Sequence, residues 1–211
     1  MNAHTVRQLL AGPAGLLECS LDAPAGGLQP LGVAVICHPH PQHGGTMDNK
    51  VVQTMARALL QLGWRTVRFN YRGVGASQGA WDEGRGEVDD ALAVIEASRD
   101  PLVPFMLGGF SFGAFVAAQA AKLLPTQDKP ERLVLVGPST QRQRMADVPS
   151  GSIVIHGESD EVVPLSATLD WARPQHLPVI VFPGVGHFFH GQLALLKTVL
   201  LQQLSASTPA A

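Results

Sequence analysis

A β-strand with one face in water alternates apolar and polar residues, whereas a strand covered on both faces can be apolar throughout. Runs such as LGVAVIC (31–37), FMLGGF (105–110), RLVLVG (132–137) and SIVIHG (152–157) are of the second kind. Stretches at helical spacing separate most of them. In NKVVQTMARALLQLG (49–63), Val52, Met55, Ala56, Leu59 and Leu60 share one face, and Gly63 closes the helix. This alternation predicts an α/β fold, a mostly parallel sheet with helices on both faces. The expected order begins with a hairpin over 5–22 at a sheet edge. Strands follow at 31–37, 65–71, 105–110, 132–137, 152–157 and 178–184, with helices at 49–63, 86–98, 112–124, 165–173 and 189–204. One domain spans 1–204, and the small, polar tail SASTPAA (205–211) is expected to fray. The connection over 138–151 is too short to build a helical lid.

The 211 residues suffice for one sizeable core and are too few for two comfortable domains. Fifteen basic residues face seventeen acidic ones, with no basic run, so neither nucleic acid nor an anionic membrane is an expected partner. Cys19 and Cys37 are too few for a disulfide framework and read as small buried hydrophobes in a reducing compartment. VRQLLAGPAGLLECS (6–20) faintly resembles an export or lipid-attachment signal. Pro13 and two glycines break its apolar patch, however, and Glu18 stands where a small residue is needed before the cysteine. No apolar run reaches transmembrane length, and the expected location is the cytoplasm.

The stretch GFSFG (109–113) lies between an expected strand and an expected helix. It matches the G-x-S-x-G elbow, where a strained turn projects a serine hydroxyl and the glycines let strand and helix nearly touch. The next helix start directs the Phe112 N–H and the positive helix end to the same place. A serine hydroxyl is a poor nucleophile alone and needs a base, which in turn needs an acid to orient it. For this elbow the chain order is serine, acid, histidine. Asp160 follows the 152–157 strand and His187 follows the 178–184 strand, both in that order. Glu158 and Glu161 are rival acids, and His190 is a rival base.

The loop CHPHPQHGGTMDNK (37–50) occupies the place of an oxyanion-hole donor. Pro39 and Pro41 have no N–H, which leaves the His40 backbone as the second donor, with Gln42 behind it. His38, His40 and His43 also admit a metal reading. The alternating prolines already account for a rigid loop and no carboxylate-rich cluster accompanies it, so no metal and no cofactor are expected. Cys37 sits inside a strand pattern and lacks an elbow.

Together CHPHPQHGGTMDNKVV, RFNYRGVGASQG, GGFSFGA, VIHGESDEVVP and GHFFHG resemble the small lidless bacterial α/β-hydrolases related to dienelactone hydrolases, from about residue 31 to 196. The resemblance implies a single-domain α/β-hydrolase fold with a sheet of eight strands or slightly fewer. It implies Ser111, Asp160 and His187 as the catalytic triad, and Phe112 and His40 as the oxyanion hole. Dienelactone hydrolases carry cysteine at the elbow, so Ser111 argues against their substrate. Arg72 reads as a structural ion pair with Glu87 or Asp90, and Trp81 either lines the cleft or covers the core. The expected activity is hydrolysis of a small carboxylic ester or thioester through an acyl-enzyme. The alternatives are an acyltransferase or peptidase with the same triad, or a catalytically silent binding protein. Serine at the elbow, where epoxide and haloalkane chemistry needs aspartate, disfavours those reactions.

Overall fold

The apolar runs all become strands in the computed structural model, which describes residues 5–27 and 29–205. The tail expected to fray lies, from residue 206, outside the described residues. β1 (Val6–Gly12) and β2 (Gly15–Asp22) form the edge hairpin, paired antiparallel from Val6–Leu21 to Gly12–Gly15. β3 (Val33–Cys37), β4 (Arg65–Phe69), β5 (Phe105–Phe110), β6 (Arg132–Val136), β7 (Ile153–Gly157) and β8 (Val179–Phe182) run parallel to one another. β2 joins them antiparallel through β4, giving the eight-stranded order β1-β2-β4-β3-β5-β6-β7-β8.

Both faces of the central strands are covered, which is why β3 and β5 are buried at every position. α1 (Lys50–Gln61) and α5 (Leu193–Ser205) close one face, with Met55, Leu59, Leu196 and Leu200 packed on Ile36, Phe110 and Ile155. α2 (Arg85–Ser98), α3 (Phe112–Leu123) and α4 (Leu165–Ala172) cover the other. Asn49 caps α1 by accepting from the Val51 and Val52 N–H groups. Small residues line the inner side of α3, where Ala114, Ala117, Ala118 and Ala121 let the helix settle close onto the sheet. Arg72 pairs with Asp90 at 2.7 Å, while Glu87 accepts from the Asp82 and Gly84 N–H groups at the start of α2. The arginine therefore braces the turn after β4.

The last helix begins later than expected. The pattern predicts it from residue 189, but α5 starts at Leu193. Phe189 and Gly191 both take left-handed backbone angles, φ 51° and 73°, and a right-handed helix cannot run through them.

Two features place the site. The chain runs from β3 out to β4, then crosses back over β3 to β5 and builds the rest of the sheet in the other direction. The carboxyl ends of β3 and β5 thus flank the switch point, where open α/β sheets form their crevice. In addition, the segment over 138–151 holds neither helix nor strand, so it builds no lid over that end. Among the described residues no helix is long and apolar enough to cross a membrane.

Candidate active site

Ser111 stands at the carboxyl end of β5 with φ 57° and ψ −119°. A serine in that region costs on the order of 1–3 kcal/mol and persists only where its surroundings hold it. Here the Ser111 N–H donates to the Val136 carbonyl at 2.9 Å, and the Ser111 carbonyl accepts from Ala114 in the first turn of α3. The glycines beside it answer to sterics. A Cβ on Gly109 would lie 2.1 Å from the Gly113 carbonyl oxygen, and one on Gly113 would lie 2.2 Å from the Cys37 carbonyl oxygen. Side chains there would push β5, α3 and the loop after β3 apart.

His187 leaves β8 through the Gly184-Val185-Gly186 turn and lies over the elbow. Its Nε2 is 2.9 Å from the Ser111 Oγ, and its Nδ1 is 2.6 Å from the Asp160 Oδ2. The ring is buried against Phe110, with centroids 4.9 Å apart, and meets Phe188 edge-on. Asp160 turns in after β7, and its Oδ1 accepts from the Val162 and Val163 N–H groups at 2.9 and 2.7 Å. Burial opposes ionisation of this carboxyl, but the bond from His187 and the two backbone donors outweigh it. Its pKa falls below the usual aspartate value. The acid therefore stays charged, and the His187 Nδ1 carries the proton it donates.

The rivals are occupied elsewhere. Glu158 accepts from the Gly184 N–H at 2.8 Å and pins the turn after β8. Glu161 is exposed and, with Phe188, His190 and Gln192, borders a neighbouring hollow of about 280 Å³. His190 is exposed and stacked on Phe188. Cys37 is fully buried, and burial pushes its thiol up to about 12.

The loop after β3 packs directly on the first turn of α3, as the contacts of Gly113 require. The His40 ring lies 5.0 Å from Phe112, centroid to centroid, and 4.7 Å from Trp81. Trp81 is half-buried; it both covers the core and borders the loop. As the first residue of α3, Phe112 has an N–H with no acceptor in its own helix. His40 turns its carbonyl to the His43 and Gly45 N–H groups, and Gln42 lies exposed in the short helical turn Pro41–His43. His38, buried, uses both ring nitrogens on backbone: Nδ1–H donates to the Pro39 carbonyl at 2.6 Å, and Nε2 accepts from the Tyr71 N–H at 3.2 Å. Burial lowers its pKa to about 3, so it is a neutral brace for the loop. The His40 and His43 rings stack on each other. No cluster of three or more metal-ligating side chains occurs among the described residues.

The family profile described as serine aminopeptidase, S33 matches residues 29–151, which include the elbow and the His38–His43 loop. The chain belongs to this family of α/β serine hydrolases. A lidless α/β serine hydrolase of Xanthomonas campestris superposes over 100% of this chain and 98% of its own, with 38% identity and a TM-score of 0.90. An α/β serine hydrolase homologue of Coxiella burnetii covers 94% of this chain and 97% of its own, with 40% identity and a TM-score of 0.83. An uncharacterized protein of Rickettsia prowazekii is 30% identical over 74% of this chain and 71% of its own length. These matches support the superfamily and the lidless architecture; they do not specifically support a tie to dienelactone hydrolases. The family profile ends before Asp160 and His187, whereas the Xanthomonas match spans the whole chain.

Sequence reasoning passed over His156, Thr168 and Thr140, which lie behind Asp160. The signal was present as a lone imidazole in the otherwise apolar strand SIVIHG.

Proposed function

We propose that this protein is a serine hydrolase that cleaves a small carboxylic ester or thioester through an acyl-enzyme. One observation carries the reading: the unbroken line from Ser111 Oγ through His187, at 2.9 and 2.6 Å, to an ionised Asp160. In this reading the Ser111 Oγ attacks the acyl carbon while the His187 Nε2 takes its proton. Asp160 keeps the imidazole in the right tautomer and stabilises the imidazolium. The Phe112 and His40 N–H groups receive the oxyanion, a role in which preorganised donors strengthen as charge develops. His187 then protonates the departing alkoxide or thiolate. Water, deprotonated by His187, attacks the acyl-enzyme, and the carboxylic acid leaves with Ser111 restored.

The absence of a lid segment supports an open site and a small substrate. The net charge of −2 supports a small molecule rather than a nucleic acid as partner. The buried free thiols Cys19 and Cys37 fit a reducing cytoplasm. No cofactor or metal enters the mechanism. One finding favours a second reading: the family profile is described as an aminopeptidase, so the same triad acting on a peptide bond is the alternative.

Labelling with a fluorophosphonate, with and without Ser111→Ala, tests the nucleophile, whose loss costs on the order of 10⁶ in kcat. Labelling of the variant at the wild-type rate would end this reading. Turnover of p-nitrophenyl acetate against an aminoacyl p-nitroanilide separates esterase from peptidase. Faster anilide cleavage would favour the peptidase.

A further inference from the structure

β7 is apolar at Ile153, Val154 and Ile155 and then places a fully buried imidazole at His156. A buried polar ring costs stability unless its partners satisfy it, and this one is satisfied by specific groups. Nε2 lies 2.9 Å from the Val163 carbonyl and 3.3 Å from the Asp160 Oδ2. Nδ1 lies 3.2 Å from the Thr168 Oγ1, itself 3.1 Å from the Thr140 Oγ1.

The chemistry of these partners settles the direction of the chain. A carbonyl only accepts, so Nε2 carries the proton and Nδ1 is left to accept from the Thr168 hydroxyl. Thr168, having spent its hydrogen, accepts from Thr140. Val163 is thereby held from two sides: its N–H donates to the Asp160 Oδ1, and its carbonyl accepts from His156. At the other end, Ser139, adjacent to Thr140, donates its N–H to the Ser111 carbonyl at 3.3 Å. The circuit closes on the nucleophile, running from Ser111 through His187, Asp160, Val163, His156, Thr168, Thr140 and Ser139 back to Ser111.

We infer that His156 is a positioning residue: it holds the 160–163 turn so that the Asp160 carboxylate faces His187, and ties that turn through Thr168 and Thr140 to the strand end bearing Ser111. A histidine serving only to fill β7 needs no donor chain and no contact with the acid. Burial keeps the ring neutral, so no second cation competes with His187 for the carboxylate. The inference rests on the reading of Ser111, Asp160 and His187 as a working triad.

Its test uses readouts that need no assumption about the natural substrate. The first is the rate at which a saturating fluorophosphonate modifies Ser111. The second is the downfield proton resonance of the His187–Asp160 hydrogen bond. His156→Leu, with the folded fraction checked by circular dichroism, is expected to slow modification by about 10-fold or more, the scale of one or two lost hydrogen bonds in a buried network. It should also shift or broaden the resonance. His156→Gln, whose side-chain amide can donate to the Val163 carbonyl, is expected to recover most of the rate. Thr168→Val, nearly isosteric, removes the hydroxyl that links Nδ1 to Thr140 and is expected to slow modification about threefold or more. It carries the test if His156→Leu does not fold. Folded His156→Leu with an unchanged rate and resonance, or Thr168→Val unchanged in both should His156→Leu fail to fold, would overturn the inference. A wild type that is never labelled at Ser111 would instead sink the triad reading itself.

Discussion

Gly109 and Gly113 approach so closely across the elbow that a Cβ on Gly109 would lie 2.1 Å from the Gly113 carbonyl oxygen. The obstacle is backbone, which cannot swing aside as a flexible side chain would. Gly113 stands in the same relation to the Cys37 carbonyl, at 2.2 Å. Elbow, helix start and the loop after β3 are therefore one rigid assembly, and the separation of the Phe112 and His40 N–H groups depends on it.

Gly113→Ala should accordingly damage activity more than stability. Overpacking of this kind costs about 1–3 kcal/mol. The loop bearing His40 must retreat from Phe112, so kcat should fall by about 10²-fold, the scale of one lost oxyanion donor. Urea unfolding and ester kinetics on the same preparation measure both. Loss of stability with kcat intact would mean that the glycine matters for packing alone.

On the proposed mechanism, His187→Ala should lower kcat by about as much as Ser111→Ala, because the members of a working triad act as a unit. His190→Ala should cost no more than about 10²-fold, the low end of general acid–base contributions. Its ring is stacked on Phe188 and exposed, away from the hydrogen bonds that join Ser111, His187 and Asp160. Steady-state kinetics decide between them, and a dead His190→Ala beside an active His187→Ala would reverse the assignment.

Short acyl esters should be preferred to long ones. A long chain gains about 0.8 kcal/mol per CH₂ only where that CH₂ leaves water. The segment over 138–151, which would have to shelter it, forms neither helix nor strand. Values of kcat/KM for acetyl, butyryl and dodecanoyl esters test this, and a steady rise to dodecanoyl would contradict it.

Stability should decline as pH falls below about 6.5, partly because of His38. Its folded pKa, lowered to about 3 by burial, lies under the ordinary value of 6.5, so the unfolded chain binds more protons between the two. The stabilisation is complete above 6.5 and is lost toward acid, at about 1.4 kcal/mol per pH unit. His156, also lowered by burial, acts in the same direction. Urea unfolding at pH 7, 6 and 5 should show this slope, and His38→Gln should flatten it. Equal slopes in variant and wild type would show that His38 is not held neutral.

Much of this molecule was legible in one dimension. Unbroken apolar runs must be covered on both faces, and that requirement led directly to the parallel core strands β3, β5, β6 and β7. The pentapeptide around Ser111 was legible because strain and close approach restrict it to small residues at fixed spacing. Asp160 and His187 were legible because each follows a strand, and parallel strands deliver their ends to one side of a sheet. Sequence favoured Asp160 over Glu158 and Glu161 without placing any of them, because three carboxylates in one short loop differ only in where the backbone points them. It also placed the start of α5 too early, since nothing in the composition of Phe188–Gly191 announces a left-handed Phe189. Thr168 and Thr140 were silent for a further reason, and His156 signalled only as a lone imidazole. They come from a strand, a helix and a loop, and neither threonine is distinctive locally. Folding brings them behind Asp160, where burial removes water as a competing partner and leaves each polar atom only the others to bond with.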